Sequence, residues 1–331
     1  MKHTQNNYGI RDEAEEFPMM SVLSFSYVCN ALCPNCPYTN SEIRGDYKDA
    51  KYMSSEVFKK IADEVGEHKA WLRISGGGEP TMHPEFLELM IYAKEKGCRL
   101  GIITNGSMMD EQLAKSLLEI DVDMLEFSVD ACKQSDYDIV RKGLNFNELV
   151  KNIKSVYKLR NALDSKTKII ASAINQNNID VDEVEQFWLP FVDNFQKRKY
   201  LTWGINDAQN SADDTPYLEP KDRTPCPFLF ERLNIDSRGQ IMMCGYDIAA
   251  NTNMGNIKNE SIKDIWHGEK FTSYRDKHLQ RKGDEINLCK NCPDWKYRSW
   301  KHNYWKLVDN AQKNKDNTLH LSESEGAITV E

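Results

Sequence analysis

The sequence lacks three features: a long apolar run, an excess of basic residues and a secretion signal. None of its 331 residues belongs to an apolar run of 18, which excludes a transmembrane helix. Asp and Glu outnumber Lys and Arg by 51 to 43, and the net charge of −8 disfavours nucleic acids and anionic membranes as partners. The start, MKHTQNNYGIRDEAEEF, has no apolar stretch of the kind a signal peptide needs, so we predict a cytoplasmic protein.

The nine cysteines cannot all pair, and disulfides do not persist in a reducing compartment. Seven of them fall into two groups, one near the start of the chain and one late in it, whereas Cys98 and Cys132 stand alone. This grouping predicts metal chemistry. The two groups are Cys29, Cys33 and Cys36, and Cys226, Cys244, Cys289 and Cys292.

Short β-branched or aromatic runs alternate with longer amphipathic stretches between residues 20 and 206, a pattern typical of βα units around a parallel sheet. Six such units predict an α/β fold, a partial barrel whose reactive groups gather at the carboxyl ends of the strands. Ser54 is predicted to cap the first helix, and Gly97 to end the second. Strands are predicted at 21–27, 70–75, 99–103, 124–129, 168–174 and 201–205, and helices at 54–66, 84–97, 110–119, 145–163 and 180–197.

The length corresponds to about two domains of roughly 150 residues each. The segment 207–225 is rich in Asp, Asn, Pro and Ser, which is the composition of a linker. Beyond it, LNIDSRGQIMMC has a hairpin pattern with residues 236–239 in the turn. We predict an N-terminal extension at 1–20, a barrel domain at 21–206, the linker at 207–225, a second domain with a C-terminal helix at 226–310, and a disordered tail at 311–331.

The spacing Cys29-x3-Cys33-x2-Cys36 directly follows the first predicted strand. Three thiolates this close can hold three corners of a 4Fe–4S cluster and leave the fourth iron open for a cofactor or substrate. A structural zinc site completed by a distant ligand is the alternative.

This loop resembles the cluster loop of the radical S-adenosylmethionine (SAM) enzymes, and the resemblance extends from residue 21 to about residue 300. It implies a partial (β/α)6 barrel in which SAM chelates the open iron through its amino and carboxylate groups. It also implies that one electron from the cluster cleaves SAM to a 5′-deoxyadenosyl radical, which takes a hydrogen atom from the substrate. The expected partners are a small-molecule substrate and a reductant such as flavodoxin or ferredoxin.

Further segments are similar to the family's cofactor-binding segments, each at the carboxyl end of a predicted strand. They are GGGEP at 76–80, TNG at 104–106 and SVD at 128–130. Tight turns would explain the glycines and TNG equally well. Arg141 stands where related enzymes often place an arginine for the cofactor carboxylate, and an arginine on a helix surface is the alternative. The residues that the resemblance implies for SAM are Gly77, Gly78, Glu79, Asn105, Ser128, Asp130 and Arg141.

The late cysteines resemble the auxiliary-cluster region of the SPASM and shorter twitch enzymes, and their spacing is close to that of 2-deoxy-scyllo-inosamine dehydrogenase. Four cysteines can ligate a second 4Fe–4S cluster completely, and a zinc ribbon is the alternative. Because no cysteine follows Cys292, we expect one auxiliary cluster. Asn35 stands where many relatives carry an aromatic residue against adenine, so that contact is assigned to Tyr38.

The two isolated cysteines have different predicted roles. Cys98 precedes a strand at the end away from the chemistry and is predicted to be buried and inert. Cys132 lies just past Asp130, where it could donate a hydrogen atom to a substrate radical, as an epimerase requires, or simply pack.

Three hypotheses follow for the reaction. The first is dehydrogenation of a small, polar, carbohydrate-like or aminocyclitol substrate, with the auxiliary cluster accepting the surplus electron. The second is modification or epimerisation of a ribosomal peptide. The roughly 20 residues before the first strand argue against it, because such enzymes often carry a leader-binding module there, but a separate protein could bind the leader. The third is a noncatalytic zinc-binding protein.

Overall fold

The computed structural model describes residues 10, 12–39, 41–203, 211–212, 219 and 222–297. The predicted tail, most of the predicted linker and the C-terminal helix beyond residue 297 lie outside this part of the chain. Across the described residues, no helix is both long and apolar enough to cross a membrane.

One sheet contains the nine strands found among the described residues. They are β1 (Met20–Ser26), β2 (Trp71–Gly77), β3 (Arg99–Thr104), β4 (Met124–Ser128), β5 (Lys168–Asn175), β6 (Asn194–Lys199), β7 (Arg232–Ile235), β8 (Gln240–Met242) and β9 (Gly255–Asn256). The order is β6-β5-β4-β3-β2-β1-β7-β8-β9. Strands β1 to β7 are parallel, β8 is antiparallel to β7, and β9 is antiparallel to β8. The predicted hairpin is therefore confirmed, and it extends the sheet of the barrel.

Helices connect the parallel strands, as expected for βα units. Both predicted helix boundaries are confirmed: the Ser54 side chain accepts a hydrogen bond from the Val57 N–H, and Gly97 follows α3 with φ of +88°. The helices are α1 (Ser41–Asp46), α2 (Ser55–Glu67), α3 (Phe86–Glu95), α4 (Glu111–Glu119), α5 (Gln134–Val140), α6 (Phe146–Ala162), α7 (Val181–Trp188), α8 (Phe228–Glu231), α9 (Ile262–His267), α10 (Glu269–Leu279) and α11 (Asn287–Lys290).

The inside of the barrel is closed at one end by apolar side chains. Met20, Trp71, Met124 and Ile170 form a cluster separate from the main core between sheet and helices. Two residues further along β2, β4 and β5, the side chains that point the same way are polar, namely Arg73, Glu126 and Ser172, whereas Val22 on β1 still packs against the cluster. The apolar plug therefore leaves a polar chamber at the carboxyl ends of the strands.

The sequence pattern predicted β1 to β5 within two residues at each end, but the sixth strand is wrong. It lies at Asn194–Lys199, not at 201–205. The predicted helix 180–197 is also wrong in its second half, because α7 ends at Trp188 and Pro190 cannot continue it. The pattern did not predict α5.

Candidate active site

A cavity of about 580 Å³ opens above the apolar plug, at the carboxyl ends of the strands. Its wall combines the loop after β1, the ends of β2, β3 and β4, and side chains from β6 and β7. Such a volume is typical of a small-molecule or cofactor site. The wall brings together nine residues predicted from the sequence: Cys29, Cys33, Cys36, Gly77, Gly78, Glu79, Asn105, Ser128 and Arg141.

The three cysteines near the start of the chain share this cavity. Arg141 donates a hydrogen bond to Cys33, with its Nη1 3.7 Å from Sγ. Burial raises the pKa of the Cys29 thiol and raises that of Cys36 to about 11, so iron would have to displace both protons. Three thiols at one cavity, with a cation beside one of them, fit a cluster with one open iron.

Glycines at the end of β2 allow close packing against the cysteine loop. Gly77 has φ of +74°, and a Cβ added there would lie 2.3 Å from the Ser26 carbonyl oxygen. A Cβ on Gly78 would lie 2.2 Å from the carbonyl oxygen of Val28. The sequence suggested that these glycines admit a ligand; in the structure they also hold two loops of the site together.

The Glu79 carboxylate joins two of the predicted segments. Its Oε1 accepts from the Thr104 hydroxyl at 2.6 Å, and its Oε2 accepts from the Asn105 N–H at 2.7 Å. Thr81 donates twice more to Oε1, from its backbone and its hydroxyl. Burial raises the pKa of Glu79, and these hydrogen bonds oppose the rise. Glu79 therefore positions the segment at 104–106 in addition to lining the cavity.

Asn30, which is not among the residues predicted from the sequence, connects the cysteine loop to the same segment. Its Oδ1 accepts a hydrogen bond from Asn105 Nδ2 at 2.9 Å, and its own amide donates to the Ser107 hydroxyl at 2.8 Å. The cysteine motif that contains Asn30 does not by itself suggest this role, because the sequence does not show that the cysteine loop touches the loop after β3.

Asp130 and Arg141 form an ion pair behind the cavity wall, with Oδ2 and Nη2 2.6 Å apart. Asp130 has φ of +54°, so strand alternation does not extend from Ser128 to it, and its Oδ1 accepts the Ile174 N–H at 2.7 Å. Burial opposes the charge of Arg141, but Asp130 and Cys33 raise its pKa, so it remains protonated. The interpretation of Arg141 as a surface residue is wrong, because its side chain is only 15% exposed.

Asp130→Asn is expected to lower the free energy of unfolding by about 3 kcal/mol, because it leaves the Arg141 guanidinium buried without its counterion. Asparagine tolerates the positive φ of this position, so the change isolates the charge. Anaerobic urea unfolding measures the loss. Glu183→Gln, which removes an exposed ion pair with Lys133, is the matched control and should cost at most about 1 kcal/mol. Equal losses in both variants would contradict the prediction.

The four late cysteines surround a second, smaller pocket. Its other walls are apolar side chains, among them Leu229, Met243 and Leu288. All four line this one pocket and therefore lie close together, and burial, together with the three other thiols, raises the pKa of Cys289 well above its ordinary value. The donor set and the apolar surroundings fit a fully ligated iron–sulfur cluster. Within the described ranges, no three His, Cys, Asp or Glu side chains are arranged to hold a single metal ion.

Two aromatic residues, Phe228 and Tyr246, line both the cavity and the four-cysteine pocket. The Tyr246 hydroxyl donates to the Asp294 carboxylate at 2.7 Å, and its ring lies 5.0 Å from that of Trp203. Asp294 is 1% exposed and also accepts from the backbone and hydroxyl of Thr202. No sequence motif pointed to Tyr246 or Asp294, although each lies two residues beyond a predicted cysteine ligand.

The remaining predicted residues occupy varied positions. Cys98 is buried and its thiol donates to the Ala62 carbonyl oxygen, as an inert core residue would. Cys132 packs against the main core near Glu183, away from the cavity, so the structure gives no support to a hydrogen-donor role. Tyr38 lines the cavity, and its ring lies 5.5 Å from that of Tyr27.

A parallel barrel with three thiols at its mouth, joined to a four-thiol pocket, defines a class of iron–sulfur enzymes with two cluster sites. Family models place the chain within that class: the radical SAM superfamily matches residues 23–187, and an iron–sulfur cluster-binding domain, SPASM, matches residues 226–293. The chain belongs to the radical SAM superfamily. Its cofactors are accordingly SAM and 4Fe–4S clusters, and these matches leave the noncatalytic zinc hypothesis without support.

The chain is similar to the tungsten-containing aldehyde ferredoxin oxidoreductase cofactor-modifying protein of Pyrococcus furiosus, at 25% identity over 291 residues, covering 75% of this chain and 80% of that protein. Among solved structures it resembles BtrN in complex with AdoMet and 2-DOIA, with a TM-score of 0.55, 19% identity and coverage of 83% and 93%. It also resembles Streptococcus suis SuiB bound to its precursor peptide SuiA, with a TM-score of 0.62, 15% identity and coverage of 94% and 76%. The two structural likenesses establish the fold.

Proposed function

We propose that this radical SAM enzyme dehydrogenates a small polar substrate held between its two cluster sites. The observation that carries the proposal is the shared wall: Phe228 and Tyr246 border both the cavity and the four-cysteine pocket. An electron leaving a substrate in the cavity would therefore have only one layer of side chains to cross. In this proposal residues 21–206 hold SAM and the first cluster, and residues 226–310 hold the second.

The ligands of the proposed clusters are the cysteines of the two groups, and Asn105, Ser128 and Arg141 would contact SAM beside the first. When bound, SAM on its cluster supplies a 5′-deoxyadenosyl radical that removes a hydrogen atom, and the second cluster supplies an acceptor for one electron. Oxidation of a substrate alcohol to a carbonyl also releases one proton, in addition to the hydrogen atom and the electron. Tyr246 offers a route, because this residue lines the cavity and its hydroxyl, which donates to Asp294, could relay the proton to that carboxylate.

Arginine side chains of the barrel narrow the substrate class. Arg73 on β2 and Arg198 on β6 line the cavity, while Glu126 lies behind them with an exposure of 0%. Burial alone would raise the pKa of the Glu126 carboxyl, but the charges of Arg198 and Arg73 bring this pKa below its ordinary value. Among the described residues that line the cavity, basic side chains outnumber acidic ones, so the cavity presents a cationic surface to the substrate: Arg73, Arg141, Lys197, Arg198, Lys199 and Arg232 against Glu79 and Glu231. Carboxylate or phosphate oxygens would bind there, whereas the cationic amine of an aminocyclitol would be repelled.

A peptide substrate is the second candidate. The observation in its favour is the resemblance to SuiB bound to a precursor peptide, which covers 94% of this chain. The cavity of about 580 Å³ must hold SAM as well, so a peptide would have to place a single side chain inside it.

The test uses anaerobically reconstituted enzyme with SAM, dithionite and candidate substrates that carry deuterium on carbon. Deuterium in the 5′-deoxyadenosine identifies the compound that gave up a hydrogen atom. We expect transfer from a sugar acid or sugar phosphate, accompanied by a carbonyl product two hydrogens lighter. Transfer from short peptides alone would replace this proposal with the second candidate, and transfer from an aminocyclitol would contradict the argument from the arginines.

A further inference from the structure

His278 bridges two members of the four-cysteine group. It lies in the last turn of α10 and is 2% exposed. Its Nδ1 accepts the backbone N–H of Cys226 at 3.1 Å, and its Nε2 lies 3.4 Å from the Sγ of Cys289. The imidazole therefore contacts two of the four cysteines at once.

The first of these contacts decides where the ring proton is. Because Nδ1 accepts a hydrogen bond, its lone pair is in use and it carries no proton, so the proton of the neutral ring is on Nε2. Nε2–H then points at the Cys289 sulfur and donates to it.

Neighbouring side chains fix the ring in this orientation. The ring is stacked on Trp295, with centroids 4.9 Å apart and planes 15° apart. Trp295 is itself anchored by its Nε1–H, which donates to the Thr224 carbonyl oxygen at 2.8 Å, and the Arg223 guanidinium lies 5.0 Å from its ring centroid. A ring held in this way cannot turn its donor away from the sulfur without losing the Cys226 hydrogen bond or the stacking on Trp295.

We propose that His278 donates a hydrogen bond to the Cys289 thiolate of the auxiliary cluster and thereby raises the reduction potential of that cluster. Hydrogen bonds to the ligating sulfurs are among the factors that set the potentials of iron–sulfur clusters, because they stabilise the more negative, reduced state. The inference rests on the proposed function: a cluster that must accept an electron from a substrate works better at a higher potential. His278 is thus a positioning residue that acts through Cys289.

Two substitutions separate the donor from the anchor. His278→Asn places an amide oxygen where Nδ1 lies, so it can keep the Cys226 hydrogen bond but is too short to reach Cys289. His278→Gln is one carbon longer and places an amide N–H near the position of Nε2. Each is made in the full chain carrying Cys29→Ala, Cys33→Ala and Cys36→Ala, so that only the auxiliary cluster contributes to a redox titration followed by electron paramagnetic resonance.

We expect His278→Asn to lower the ratio of reduced to oxidised cluster at a fixed potential about tenfold, a midpoint decrease of about 59 mV for one electron. His278→Gln should restore most of it. His267→Asn, which changes an exposed histidine of α9, is the control and should leave the midpoint unchanged. Unchanged midpoints in all variants, or equal decreases in the Asn and Gln variants, would overturn the proposal.

A second measurement uses the protein with His278 unchanged, so it does not depend on how the variants fold. Histidine labelled with nitrogen-15 should give a hyperfine coupling to the reduced auxiliary cluster, and absence of that coupling would overturn the inference. Because neither readout needs a substrate, an unaffected midpoint would refute the role of His278 alone. Loss of the proposed function would instead appear as a protein that binds no second cluster.

Discussion

Replacing Cys29, Cys33 and Cys36 together with alanine is expected to lower the iron content from about eight atoms per chain to about four, with a matching loss of sulfide. The same variant should form no 5′-deoxyadenosine from SAM and dithionite. Both effects have one physical cause: without the three thiolates no cluster assembles at the cavity, so SAM has no iron to chelate and no nearby electron to receive. Iron and sulfide analysis after anaerobic reconstitution, with chromatography of the nucleoside product, measures them.

Cys98→Ala is the matched control for this variant. Cys98 is also buried, but it lies in the core beside Ala62 and outside the cavity, so its loss should leave both the iron content and SAM cleavage intact. Zinc in place of iron, or SAM cleavage that survives the triple substitution, would contradict the assignment of these cysteines.

The first five strands could be predicted from sequence because each contains a short, largely buried stretch rich in β-branched, other apolar or aromatic residues. β6 could not, because its sequence NFQKRK is largely polar. Its side chains are accounted for only by tertiary partners: Arg198 pairs with the buried Glu126, and Lys197 Nζ lies 3.0 Å from Glu185 on α7. Such partners are distant in sequence and leave no local pattern.

The candidate site divides in the same way. Motif order was enough to bring the cysteine loop, Glu79 and Asn105 to one cavity, since the carboxyl ends of parallel strands meet at one edge of the sheet. The position of Asp130 required its backbone conformation, because a positive φ ends the alternation on which the prediction relied. His278 is 52 residues from Cys226, and nothing in the sequence of α10 distinguishes it from a surface histidine.

Removing two ligands of the auxiliary cluster should uncouple the two halves of the reaction. Cys244→Ala with Cys292→Ala is expected to retain the first cluster and to form 5′-deoxyadenosine when substrate is present, but to yield little oxidised product. Substitutions of residues that only support metal ligands already cost about 10–100-fold in activity, so loss of two ligands should reduce oxidation by more than about 100-fold. The ratio of oxidised product to 5′-deoxyadenosine is the quantity to measure, because it is independent of how much active enzyme each preparation contains.

This ratio distinguishes an electron-accepting cluster from one that only stabilises the fold. If the second cluster merely held residues 226–297 together, its loss would lower both products in parallel and the ratio would stay constant. If it accepts the surplus electron, the substrate radical has no acceptor, so hydrogen abstraction continues while oxidation fails and the ratio falls. Cys132→Ala, at a half-buried cysteine outside both pockets, should leave the ratio unchanged and thus serves as the control. A constant ratio in the double variant would mean that the electron leaves by another route.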